Sequence, residues 1–285
     1  MPDAEGSLAE SFINEMDLRK NSRYVRYGLP TLDEKTGGVK RKELIVLGAK
    51  PSTGKSAFAL QLANRFRYAG EKVLFFPLEM SAIQNLCRLI VHEKLTEAKR
   101  LRSGKLTDEE KKAISEFLQQ VETEGLLSIY EGKGQIETIE GIIKKQRPYA
   151  VIIDQLTQMT SSKRQFRSDY EHHQYMTANL KRISMQYNVA VILLHQIHRT
   201  ADDKNLTMGD LKGSGSLEED ADNVLLLQRI PKEEYIRKIG GQLSGSEVPI
   251  LLKLEKQRDG RTGEYIIKFK PDEFRFFETM TTIVE

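Results

Sequence analysis

Gly54-Lys55-Ser56 are residues that could hold a phosphate chain. They follow the apolar run "ELIVLG" (43–48) and the loop Ala49-Lys50-Pro51-Ser52-Thr53, and they precede a helical pattern over 55–69. Small residues let backbone N–H groups face phosphate oxygens, and a helix N-terminus adds positive potential. A lysine meets the β/γ charge, and a hydroxyl binds Mg²⁺. The loop departs from G-x-x-x-x-G-K-[ST] at its first position, Ala49, which works only if that residue keeps a negative φ. Three further groups end or follow apolar runs. Asp154 closes "YAVIID" and suits Mg²⁺ held through water. Glu79 follows "KVLFFPL"; it could polarise an attacking water, or simply be an acid near a helix start. Gln196 closes "VAVILLHQ", where an amide could sense a γ-phosphate. Each is weak alone. Together, at the ends of successive strands, they are much stronger, because open α/β sheets bind ligands at the carboxyl ends of their strands.

The elements that must position these groups alternate. Strands are expected at 43–48, 72–77, "LLSIYEG", 149–154 and "VAVILLHQ". Helices are expected at 55–69, 80–95, from the capping box Thr107-x-x-Glu110 to about Val121, over "ETIEGIIKKQ" and over 168–187. Nearly all-apolar strands separated by helices imply a parallel sheet covered on both faces. After residue 222, "NVLLLQR", "EVPILLKLEK", "EYIIKFK" and "EFRFFE" read as strands joined by short turns, with Asp259-Gly260 in one hairpin. "YGLPTLDEKTGGVKRKE" reads as turns. Ahead of it, Leu8, Phe12, Ile13 and Met16 share one helical face, which packs on its own domain or on a neighbouring copy.

The order phosphate loop, Glu, Asp, Gln resembles that of RecA-like ATPases, and the chain resembles one family closely, the DnaB-type replicative DNA helicases. Their phosphate loop reads Ala-Arg-Pro-Ser-x-Gly-Lys-Ser/Thr; this chain has Ala49-Lys50-Pro51-Ser52-Thr53-Gly54-Lys55-Ser56. "LEMSAIQNLCRLI" (78–90), "RLRSGKLTDEE" (100–110), "GDLKGSGSLEEDADNVLLLQR" (209–229) and "EKQRDGRTG" (255–263) are similar to further family motifs. The resemblance spans about 27–277. It implies an α/β fold: a RecA-like P-loop NTPase with a mostly parallel central sheet flanked by helices and a C-terminal antiparallel hairpin extension. It also places Ala57 and Arg88 among the nucleotide-binding residues. Departures are Lys50 and Lys212 where Arg is usual, Gly213 for Glu, Gln155 for an aromatic and His195 for Ser. The family's N-terminal helical domain is not in the sequence. The expectation is therefore an arm over 1–26 and a motor domain over 27–285, in either a shortened piece or a naturally short, phage or mobile-element version.

Lys256 and Arg258 alternate on one face at a hairpin end. A solvated charged tip is the commoner fate of such residues. The resemblance instead implies fingers that reach a neighbour's γ-phosphate, so that the protein works as a ring. It also implies DNA contacts in the loops after the Asp and Gln strands: Lys163, Arg164 and Arg167 beside Phe166, and Lys212-Gly213-Ser214-Gly215. In the second loop Ser216-x-x-Glu219 reads as a capping box. His195 and His198 lack a third ligand, so no zinc site is expected. His172-His173 reads as helix surface.

Length and composition agree with this class. The 285 residues are 39% hydrophobic and 30% charged, with a net charge of +3 and Cys87 as the single cysteine. So small an excess makes no nucleic-acid footprint, and one cysteine excludes intramolecular disulfides. No signal peptide or membrane span is read. The expected protein uses ATP and Mg²⁺ and translocates on single-stranded DNA, 5′ to 3′ by resemblance. It would act as a homo-oligomer, expected to be a hexameric ring, with primase and helicase loader as candidate partners, in the bacterial cytoplasm or as a phage protein in a bacterial host. The alternative is a RecA/RadA/KaiC-like DNA-binding ATPase that does not unwind. A non-enzymatic binding module and a small-molecule phosphotransferase are weaker rivals; intact Glu79 and Arg258 argue against the first, and a finger reaching a neighbour has no use in the second.

Overall fold

In the computed structural model, nine strands form one sheet in the order β3-β2-β4-β5-β1-β6-β7-β8-β9 among the described residues. Those residues are 9, 10, 13, 24–197, 206–211 and 215–278. In chain order the elements are α1 (Pro30–Thr36), β1 (Leu44–Ala49), α2 (Lys55–Tyr68), β2 (Val73–Pro77), α3 (Ala82–His92), α4 (Ala98–Ser103) and α5 (Asp108–Glu124). Then come β3 (Leu127–Ile129), α6 (Ile136–Gln146), β4 (Ala150–Asp154), α7 (Asp169–Tyr187), β5 (Ala190–Gln196), α8 (Gly215–Asp220) and β6 (Asn223–Arg229). The chain closes with α9 (Lys232–Ile239), β7 (Val248–Gln257), β8 (Gly263–Lys270) and β9 (Arg275–Glu278).

Strands β3, β2, β4, β5, β1 and β6 pair in parallel; β7, β8 and β9 add antiparallel. The parallel part needs cover on both faces, and strand alternation supplies it. From β1, Ile45, Leu47 and Ala49 face one apolar layer with Phe58, Leu62 and Phe66 of α2. Leu44 and Val46 face the other layer with Met176, Leu180 and Ile183 of α7. The central strand β1 therefore ends in a position fixed from both sides, and the phosphate loop starts from that fixed point.

Local signals explain several boundaries. Ser81 caps α3 and Thr107 caps α5, each through a reciprocal capping box. Asn188 ends α7 in the left-handed region. Four readings of the sequence need correction. The segment read as turns contains α1, opened by Pro30 and closed by Gly37 at φ 74°. Strands β6 and β7 are joined through helix α9, not by a short turn. Helix α8 already includes Gly215 and Ser216, so Ser216 is not its cap. His173 is buried, not on the helix surface. The N-terminal amphipathic stretch, apart from Ile13, lies outside the described residues, and so does His198; Ile13 is exposed.

Candidate active site at the carboxyl ends of the strands

The loop between β1 and α2 turns sharply at two points. Ser52 has φ 63° and Gly54 has φ 104°. A Cβ at Gly54 would lie 2.8 Å from Phe276 Cζ and 3.0 Å from Phe269 Cε1, so packing as well as conformation reserves this position for glycine. Ala49 needs no such freedom. It is the last residue of β1, buried, and paired with Gln196 across the ladder. The departure from a first glycine is thus harmless here.

Lys50, Pro51, Ser52, Gly54, Lys55, Ser56 and Ala57 line a cavity of about 410 Å³. Glu79, Arg88 and Gln196 line it too. Thr53 does not; it is buried, its N–H donating to the Lys50 carbonyl at 3.3 Å. Asp154 also stands back from the cavity. Its Oδ1 accepts from Lys55 Nζ at 2.9 Å, and the same Nζ lies 3.4 Å from Gln155 Oε1. Both partners of this ion pair are nearly buried. Removing either would strand the other's charge in a poorly solvated place.

Glu79 is exposed at the cavity wall, between β2 and α3. Its N–H donates to the Asp154 carbonyl at 3.2 Å, which ties the β2 exit to the β4 exit. Arg88 reaches the cavity from α3. Burial holds its guanidinium below the usual arginine range, with Asp154 and Glu79 opposing. Its Cζ sits 5.5 Å from the Phe274 ring centre, within range of a cation–π contact.

Sequence reasoning missed two contributors. Arg229, at the end of β6, donates from its guanidinium to the Ser52 carbonyl and lines the cavity. Phe269, Pro271 and Phe274, from the β8 exit, form its apolar wall. No local signal marks Arg229. Only the sheet order, which sets β6 beside β1, brings it to the loop.

Lys256 and Arg258 are not at this end. Asn223, which opens β6, pairs with Gln257, whereas Arg229, which closes it, touches the phosphate loop. Seven strand residues separate the two ends, about 20 Å. Lys256 Nζ donates to the Glu218 carbonyl and, at 3.4 Å, to the Glu219 carbonyl. Burial holds Lys256 below the usual lysine range, and Arg258 adds to the effect. Arg258 Nη1 lies 3.0 Å from Asp222 Oδ1, and its side chain is 53% exposed. Neither can reach its own subunit's cavity.

Lys163, Arg164 and Arg167 are exposed in the loop after β4, at the cavity end of the sheet. Arg164 pairs with Glu171 at 2.5 Å and lies over the Tyr175 ring. Lys212, Gly213 and Ser214 lie outside the described residues; Gly215 is exposed at the start of α8. His195 packs its ring against His173 at 5.3 Å, edge to face. Among the described residues no group of three His, Cys, Asp or Glu side chains is placed to hold a metal.

A parallel sheet with a glycine-pinned phosphate loop on its central strand, an acid on the next strand but one and a glutamine between them defines a RecA-like P-loop fold. The chain belongs to the DnaB-like helicase C-terminal domain family, whose model matches residues 25–278. It is 32% identical over 272 residues to a probable replicative DNA helicase of Trieres chinensis, covering 91% of this chain and 59% of that protein. It is 31% identical over 254 residues to the replicative DNA helicase DnaB of Geobacillus stearothermophilus, covering 85% and 54%. The chain thus spans a little over half the length of these curated relatives. Among solved structures, an isolated ATPase domain superposes with a TM-score of 0.81 at 25% identity, over 96% of this chain and 99% of that one. A DnaB-like replicative helicase, solved with its interactions with primase, superposes with a TM-score of 0.79 at 25% identity, over 97% and 68%. Among the described residues, no helix is long and apolar enough to cross a membrane.

Proposed function

We propose that the chain is the ATP-driven motor of a replicative DNA helicase, with residues 27–285 as the motor and 1–26 as an arm. The reading is carried by one observation: the phosphate-loop groups and the Lys256–Arg258 pair sit at opposite ends of the same sheet. A motor assembled head to tail would place one subunit's pair against the next subunit's cavity.

In this reading Lys55 leaves Asp154 for the β- and γ-phosphates, and the loop N–H groups around Gly54 hold their oxygens. Ser56 and Asp154 would hold Mg²⁺, which neutralises phosphate charge. The buried acid beside the loop and the cradle that only Gly54 fits suit that role. Glu79 takes a proton from water as its oxygen attacks the γ-phosphorus and the bond to the ADP oxygen breaks. Gln196 contacts the γ-phosphate, Arg88 offsets developing negative charge, and a neighbour's Lys256 and Arg258 do so from outside. Lys163, Arg164, Arg167 and the stretch 212–215 would grip single-stranded DNA by its phosphates. The likenesses to replicative helicases and to one solved with primase support DNA unwinding and a primase partner over a RecA/RadA/KaiC-like ATPase that does not unwind.

The test is ATPase activity with single-stranded DNA for Lys55→Ala, Arg258→Ala and their mixture, followed by unwinding of forked DNA by the unmodified protein. Each variant alone is expected to be nearly inactive, and the mixture to recover part of the activity. Full activity of Arg258→Ala alone would remove the trans role. ATP turnover without unwinding by an assembled ring would favour the non-unwinding ATPase.

A further inference from the structure

We infer that Asp222 is a positioning residue, which fixes the Arg258 guanidinium at the hairpin tip in the orientation that a neighbouring copy of this chain receives. The inference rests on the trans reading of Arg258 given above.

Asp222 lies in the short link between α8 and β6, and its side chain is 8% exposed. Two contacts anchor its carboxylate to the core. Oδ2 accepts from the Leu44 N–H at 2.7 Å, where β1 begins, and from Lys181 Nζ of α7 at 2.6 Å. The other oxygen, Oδ1, faces Arg258 Nη1 at 3.0 Å. The backbone repeats the connection, since the Arg258 N–H donates to the Asp222 carbonyl at 2.9 Å. The core contacts do not use Oδ1, so nothing in the packing of β1 or α7 requires the arginine.

A long side chain at an exposed turn ordinarily samples many rotamers, and that freedom is lost when it docks. Here one nitrogen of Arg258 is bound to a fixed acceptor while half of the side chain remains exposed. The guanidinium is also held weakly from α8, with Nη2 at 3.4 Å from the Glu219 carbonyl. Lys256 is anchored on the carbonyls of Glu218 and Glu219. Both cations therefore have internal tethers, and Asp222 supplies the charged one. A donor oriented in advance stabilises transition-state charge without reorganising at the moment of reaction. Asp222 touches no phosphate; it acts through Arg258.

Asp222→Asn keeps an acceptor for the core and removes the charge facing Arg258. The assembled variant is expected to lose about tenfold or more in kcat for ATP, with KM for ATP within about twofold, because its own cavity is untouched. Mixed with Lys55→Ala, which supplies a sound finger, it should regain activity. Mixed with Arg258→Ala, which supplies none, it should not. A merely structural fault would not sort the two mixtures in this way. Wild-type kcat in assembled Asp222→Asn, or equal recovery with both partners, would overturn the inference. The Lys55→Ala and Arg258→Ala mixture is the control: if that fails to recover, the trans reading has failed instead. Should Asp222→Asn not assemble, Asp222→Glu, which displaces the carboxylate by one methylene, carries the same test with a smaller expected loss, and wild-type kcat there would overturn the inference.

Discussion

Gly54 shows how narrowly a single residue can be constrained. Its φ of 104° and its approach to Phe276 and Phe269 both exclude a side chain. Gly54→Ala should cost about 1–3 kcal/mol of local strain. Titration with a fluorescent ATP analogue should then show affinity lowered by about tenfold or more, a loss that such strain at the loop would produce; unchanged affinity would mean that the loop relaxes around the methyl group. At this scale the sequence is readable wherever chemistry and spacing coincide, as in Gly54-Lys55-Ser56. It is not readable at Arg229, whose place beside Ser52 depends on a strand neighbour far along the chain. His173 lies between these cases. Its polarity points to the surface, but it shares a helical face with Met176 and Leu180, and that position decides its burial.

At the scale of elements, the apolar strands announce themselves because a strand buried on both faces has no polar alternation to confuse. The short helices α1 and α9 do not, since seven or eight residues give too little periodicity; their brackets, Pro30 with Gly37 and Pro231 with Gly240, are the available signals. The start of β1 carries a consequence for pH. Burial pushes the Glu43 carboxyl up to about 7, against Lys40, and Asp222 and Asp259 push it further. The folded chain keeps this proton where the unfolded chain, near 4.5, has released it. Stability from this group is therefore fully present below about pH 4.5 and is lost as pH rises through about 7. Glu43→Gln should raise stability above pH 8 by up to about 3 kcal/mol and flatten its fall between pH 5 and 7. Urea unfolding across that range measures it, and an unchanged slope would place the pH dependence elsewhere.

At the scale of the whole molecule, the polarity of the sheet governs what can assemble. A subunit with its cavity at one end and its cations at the other makes unlike contacts on its two sides, and such contacts close into rings or run on as filaments. On the shared-site reading, a separated subunit lacks the neighbour's Arg258, and loss of such a finger is worth on the order of 10³ in turnover. Specific ATPase activity should therefore fall steeply on dilution, in step with the loss of oligomer seen by light scattering. Constant activity through dissociation would mean that each subunit is complete alone.

The same opposition of ends bears on inheritance. A faulty hairpin tip would do its damage next door, in a cavity encoded by an undamaged copy of the gene. In a cell carrying both versions, sound subunits would be silenced by the company they keep. Alleles altered at Arg258 or Asp222 would then be dominant, and their severity would grow with the number of subunits that must fire in turn.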